Sequence, residues 1–422
     1  MNRFVEALVA VWVCGALCAP CLRGADDTRH GVSAPGFHTL QVRVDDNLMS
    51  PAVITLDGDD KLHVSFDELA DEHRYLRYSL VHCDAMWRAD GLLDSEFVDG
   101  FNEVPITEYE YSKATLTHYV HYSLTLPNDE IRLKASGNYL LRVYDEADVD
   151  SVLVQVRFSV SEAAVAVQGS VSPKTDIDHM DAHQQLSIEV DTRNRDMADR
   201  FESVTLVVGQ NGRYDNETVI AKPLSRSATV LRYEHLPRLI FEAGNEYRRF
   251  ETVSLTYPGM GLDDIDHDHT QYHATVATDY PREEYRYDET QRGRYVVRGA
   301  DLRNDDTEAE YVMTHFSLEM PRQYGVDIYL DGDMTCRRLD DTSKMHYDGA
   351  TGRYEKSLLL KQGSYNYAYL VRRGSGSASP SVVEGNFYPT QNEYLVKVFY
   401  REPGGRYDRL MGATMIYPQW TD

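Results

Sequence analysis

The chain is poor in cysteine, in tryptophan and in basic residues, and each shortage closes off a class of explanation. Of its five Cys, Cys14, Cys18 and Cys21 crowd the start, leaving Cys83 and Cys336 in regions that read as different domains. A disulfide needs Cα atoms within ~7 Å, which separate domains rarely offer, so this is not a disulfide scaffold. Lys and Arg number 43 against 68 Asp and Glu, a net charge of −25. Without clustered cations the chain is a poor partner for nucleic acid or for an anionic membrane. Catalytic signatures are missing too: there is no G-x-S-x-G elbow, no P-loop, no Gly-rich dinucleotide turn and no H-E-x-x-H. The reading is non-enzymatic, with no cofactor.

Long apolar runs are also missing. Ala7–Leu17, behind Arg3, has the ~7–15 apolar residues of a signal-peptide core and falls short of the ~20 that a membrane-spanning helix needs. We therefore read residues 1–25 as a leader. Leu17 and Pro20 stand where lipidation of Cys18 or Cys21 would want a small residue, which argues against a lipid anchor.

What the chain does have is tyrosine, 30 residues against 12 Phe and 3 Trp, and period-2 alternation almost throughout. Leu76, Tyr78, Leu80 and His82 share one face of a strand, with Arg77, Ser79 and Cys83 on the other. Val120, Tyr122, Leu124 and Leu126 repeat the pattern against His121, Ser123 and Thr125. Tyr139, Leu141 and Val143 follow a Gly137-Asn138 turn, and Val152, Val154, Val156, Phe158 and Val160 give the cleanest run. Strands with one buried and one wet face read this way. About seven strands in the first ~125 mature residues, with no helical period, predict an immunoglobulin-like sandwich. The whole chain is expected to be all-β, tandem immunoglobulin-like sandwiches, with domains at 26–162, 163–280 and 281–422.

Four blocks carry a resemblance to a known family: YSLVHCDAMW (Tyr78–Trp87), SEFVDGFNE (Ser95–Glu103), HYVHYSLTLPND (His118–Asp129) and SGNYLLRVYD (Ser136–Asp145). Weaker blocks continue to RYDRLMG (Arg406–Gly412). The chain resembles the plug protein of the type IX secretion system of Bacteroidota-type bacteria. Met86 stands where that family commonly has an acidic residue before its Trp. The resemblance implies a periplasmic protein on the inner face of the outer membrane. Its partner would be the β-barrel translocon, whose pore it would seal when no cargo is present. Tyr78, His82, Cys83, Asp84, Trp87, Gly137, Asn138 and Tyr139 are then motif residues of structural role. Cys83 beside His82 is not a Cys/His nucleophile, because strand neighbours point to opposite faces. We place the candidate partner-binding surface on the long loop after Trp87, at Arg88, Glu96, Phe97, Asp99, Phe101 and Asn102. Trp87, Phe97 and Phe101 are expected to plug the end of the sandwich.

Two further stretches suggest other chemistry. Gly363-Ser364 leads into Tyr365, Tyr367, Tyr369 and Val371, a pattern similar to glycogen-binding sandwich modules. The alternative function is therefore a carbohydrate-binding protein. Gly261–His273 (GLDDIDHDHTQYH) is rich in Asp and His but fits neither an EF-hand nor a zinc spacing, and is expected to be a solvated loop. Secreted cargo of the same system ranks below the plug, because MIYPQWTD does not resemble a sorting domain.

Overall fold

An alternating strand has one apolar face, which must be covered by a second sheet. The computed structural model describes residues 28–193, 197, 200–227 and 229–420, so the expected leader lies outside the described residues. Among the described residues, six sheets cover one another in pairs to form three sandwiches, and a seventh is the two-stranded ribbon of Val98–Gly100 and Ile131–Leu133.

In the first, one sheet orders Gly31–Val32, Asp148–Ser161, Gly137–Asp145, Leu76–Cys83 and Val104–Pro105, with Val53–Thr55 parallel to Asp148–Ser161. The facing sheet orders Phe37–Val44, Leu62–Glu68, Val120–Leu126 and Glu108–Tyr111. The core is built from the predicted faces: Leu76, Tyr78, Leu80, Tyr122, Leu124, Tyr139, Val156 and Phe158 are all buried in it. Each fully buried Leu or Val contributes roughly 1.5–3 kcal/mol.

The second sandwich corrects the predicted boundaries. Its first sheet runs Ala166–Ser172, His183–Asp191, Val230–Tyr233 and Ser225–Arg226. The other orders Thr218–Ile220, Val204–Gln210, Tyr394–Tyr400 and Arg409–Ile416. Val204 pairs with Tyr400 and Gln210 with Tyr394, so a hairpin assigned by sequence to the third domain completes the second. Tyr394, Val396, Val398 and Met411 accordingly share a core with Leu186, Ile188 and Leu206.

The third sandwich is inserted between Glu242 and Tyr394. Arg248–Glu251, Gly363–Arg372, Tyr295–Val297 and Asp327–Asp331 form one sheet. Leu262–His267, Tyr272–Val276, Tyr311–Glu319, Arg353–Lys361 and His346–Asp348 form the other. Chain entry and exit are tied together: Asn245 Nδ2 donates to the Glu384 carbonyl at 3.1 Å, and Asn392 Nδ2 to the Ala243 carbonyl at 2.8 Å.

Sandwiches one and three also touch directly. A register shift in Phe37–Val44 between His38 and Gln41 turns Thr39 outward to the Tyr311 hydroxyl, 2.6 Å away. Tyr295 donates to the Leu40 carbonyl at 3.0 Å and Tyr119 to the Ala309 carbonyl at 2.9 Å. Bulges commonly re-aim a side chain in this way. Among the described residues no helix is long and apolar enough to cross a membrane.

Candidate functional site

All the motif residues but Tyr78 meet where strand Leu76–Cys83 ends. Asp84 Oδ1 accepts from the backbone N–H of Met86 (2.8 Å) and Arg88 (2.9 Å), and the Trp87 N–H donates to the Asp84 carbonyl at 3.0 Å. An Asp that captures nearby backbone donors makes a tight turn, here with Trp87 at φ +62°. The turn sends the Trp87 indole back under the sheet, against Cys83 and Leu140. Asn138 Nδ2 secures the turn from the neighbouring strand, donating to the Asp84 carbonyl at 3.0 Å, while its Oδ1 accepts from Ser159 Oγ at 2.7 Å.

His82 lies buried beneath this turn. Its Nδ1 is 2.5 Å from Asp90 Oδ2 and its Nε2 3.1 Å from the Ser136 carbonyl. Tyr139 packs edge-on to the ring, with centroids 4.9 Å apart, and donates to the Ala135 carbonyl at 2.7 Å. Tyr78 accepts from Asn128 Nδ2 at 2.8 Å. Gly137 is required here: at φ +142° a Cβ would fall 2.6 Å from His82 Nε2 and 3.0 Å from the Asp408 carbonyl. Burial pushes the Cys83 thiol up to about 12, so it is a packing residue and no nucleophile.

The sequence did not indicate what this turn rests on. Asp408, in the C-terminal hairpin of the second sandwich, accepts the Ala85 N–H at 2.9 Å through Oδ2 and Arg401 Nε at 2.6 Å through Oδ1. Arg409 clamps Glu162 with two bonds of 2.8 and 2.7 Å. Arg406 reaches Glu96 Oε1 at 2.8 Å. Ala85 is buried with Val207, Phe399 and Leu410. The two blocks YSLVHCDAMW and RYDRLMG, read separately, are two sides of one joint.

The loop after Trp87 divides. Phe97 belongs to the core. Asn102 acts as a strand residue, its side chain accepting from the Leu80 N–H (2.7 Å) and donating to the Leu80 carbonyl (2.8 Å). Glu96 is taken by Arg406, and Arg88 Nε by Asp84 at 2.9 Å. Asp99 is exposed. Phe101 corrects the expectation of a plugging ring, because 87 % of it is exposed. Leu93 and Met86, 67 % and 51 % exposed, stand on the same stretch of chain. Met86 and Arg88 border a cleft of ≈ 470 Å³ whose other wall includes Val219, Glu402 and Pro403.

The two other suggestive stretches resolve as scaffold. Tyr365, Tyr367 and Tyr369 are fully buried, so none of them forms a sugar-stacking platform. Tyr367 and Tyr369 both donate to Asp279 Oδ2, at 2.7 and 2.8 Å. Residues 261–273 are not a plain loop: they form most of the hairpin Leu262–His267/Tyr272–Val276. Among the described residues no three His, Cys, Asp or Glu side chains are grouped to hold a metal.

Residues 37–162 match the Type 9 secretion system plug protein 1st domain. These limits enclose most of the first sandwich and stop at Glu162, the residue clamped by Arg409. A crystal structure of a hypothetical protein from Parabacteroides merdae superposes with a TM-score of 0.91 at 38% identity, covering 93% of this chain and 100% of that one. The C-terminal domain of the Streptococcus pyogenes antigen I/II-family protein AspA reaches a TM-score of only 0.17 at 10% identity, over 90% of this chain and 99% of that one. That likeness carries no argument. No curated protein matches the chain. With the first-domain match and the four sequence blocks all lying in the first sandwich, the chain carries at residues 37–162 the first domain of the type 9 secretion system plug protein.

Proposed function

We propose that the protein is a periplasmic plug subunit that docks on the outer-membrane β-barrel translocon of the type IX secretion system and seals its pore when no cargo is present. The observation that carries this reading is the match of residues 37–162, most of the first sandwich, to the plug family's first domain. The architecture suits the task. Closing an aqueous opening needs bulk that does not deform, and here the third sandwich is held by two chain connections and a direct interface with the first. Release in exchange for cargo needs a modest, polar interface rather than an obligate apolar one. The strongly acidic chain, with a few exposed apolar side chains such as Phe101 and Leu93, fits that description. The role requires no chemistry.

The test is affinity purification from native outer membranes with a C-terminal tag. Recovery of a very large barrel protein is expected, and deletion of the gene should make cells permeable to large antibiotics. Absence of any barrel, with unchanged permeability, overturns the proposal. The burial of Tyr365, Tyr367 and Tyr369 removes the residues on which the carbohydrate alternative rested.

A further inference from the structure

A cavity of ≈ 170 Å³ lies where all three sandwiches meet, with walls from strand Phe37–Val44, the Trp87 turn, Arg157, the turn carrying Arg213 and Tyr214, strand Tyr394–Tyr400, and Tyr295 and Arg337 of the third sandwich. At ~30 Å³ per water this holds about five or six waters, or one small ligand. In a chain of net charge −25, its lining is cationic: Arg43, Arg157, Arg213, Arg294, Arg337 and Lys397.

The acids on the wall sit beside cations. Arg294 holds Glu393 Oε1 at 2.5 Å, Glu393 Oε2 is buried without a hydrogen bond and lies 3.6 Å from Arg292 Nη1, and Arg337 holds Asp333 at 2.8 Å. Glu217 lies 3.6 Å from Lys397 Nζ. Several donors remain unused. Arg43 has no carboxylate partner among the described residues; its Nη2 donates to Gln41 Oε1 at 2.8 Å, and its Nε is buried without an acceptor. Gln41 Nε2 and Trp87 Nε1 are likewise buried without acceptors. The indole lies between two cations, with Arg157 at 4.7 Å and Lys397 at 4.8 Å from its ring. Burial lowers the Lys397 pKa; Glu217 opposes the shift and Arg157 adds to it. Unpaired buried donors cost free energy, and like charges gathered in a low-dielectric space repel. An anion in the cavity removes both penalties.

We propose that this cavity is a binding site for a small oxyanion, phosphate-like or carboxylate, which accepts from Arg43, Gln41 and Trp87 and braces the three sandwiches against one another. The site is distinct from the exposed loop surface and does not depend on the plug reading.

Trp87 supplies the readout. In a Trp12→Phe/Trp420→Phe background it is the remaining indole of the three. Its fluorescence is titrated with inorganic phosphate, sulfate and succinate, each against sodium chloride of equal ionic strength, and thermal melts are run under the same conditions. We expect a saturable change with at least one oxyanion, accompanied by a rise in Tm. Arg43→Gln should weaken that binding about tenfold, and Gln41→Leu, which removes an unpaired donor, is the second variant. No saturable change beyond the chloride arm, or equal binding in both folded variants, overturns the proposal.

Discussion

Lys361 Nζ and Asp67 Oδ2 stand 2.7 Å apart, both fully buried, joining the third sandwich to the first across 294 positions of sequence. The same carboxylate accepts from the Tyr311 hydroxyl at 2.7 Å and meets His121 Nδ1 at 2.6 Å through its other oxygen. Lys361 also donates to the Asp306 carbonyl at 2.6 Å and sits 4.1 Å from the Tyr119 ring centroid. Each charge is therefore compensated on several sides, the condition under which a buried pair is tolerated.

Breaking the pair from one side is predicted to be severe. Lys361→Met leaves Asp67 buried without its counter-ion and should cost about 3–5 kcal/mol. Lys361→Met/Asp67→Leu should recover much of the loss. Urea denaturation followed through the first transition checks both, and a single variant as stable as the double would refute the coupling.

Acid should act on the same pair. Burial pushes the Asp67 carboxyl up, but Lys361 and His121 outweigh it and the net shift is downward. An unfolded Asp titrates near ~3.9, so the pair's contribution is complete above that value and is lost as pH falls through the lower folded value. Between pH 5 and 2 the wild type should lose stability more steeply than Asp67→Asn, as measured by Tm against pH. Parallel curves would remove Asp67 from the account.

Gly137→Ala should loosen the joint between the first two sandwiches. The added Cβ meets the imidazole of His82 on one side and the Asp408 carbonyl on the other, and the positive φ adds strain of roughly 1–3 kcal/mol. A fall in Tm with an increased radius of gyration in small-angle scattering is expected. An unchanged melt would show that the joint yields without cost.

The two buried thiols should be inert in the folded protein. Burial pushes Cys83 up to about 12 and Cys336 up to about 11, so at pH 8 neither presents a thiolate. Iodoacetamide labelling mapped by mass spectrometry should leave both peptides unmodified until urea is added. Rapid native labelling of Cys83 would contradict its packing against Trp87.

Phe101 separates docking from folding. With 87 % of the side chain exposed, Phe101→Asp should change stability by no more than about 0.5 kcal/mol. Under the plug reading it should reduce recovery of the barrel in the affinity purification. Full recovery would move the docking surface elsewhere.

Much of this molecule is written in local sequence. A strand's period of two is a property of neighbouring residues, so the faces at Leu76–His82 and Val120–Leu126 could be assigned before any fold was known. The same local blocks carried the family resemblance. Partner choice is different, because backbone donors and acceptors are alike at every position. Nothing within Val204–Gln210 names Tyr394–Tyr400 as its neighbour, and the nested second and third sandwiches therefore escaped the linear reading. Phe97 and Phe101, four positions apart in the chain, show the same limit: both are aromatic, yet only the first has a wall to pack against. Tertiary structure alone decided which faces share a core, where the joint falls and which loop aromatic is exposed, because those depend on what the rest of the chain brings alongside.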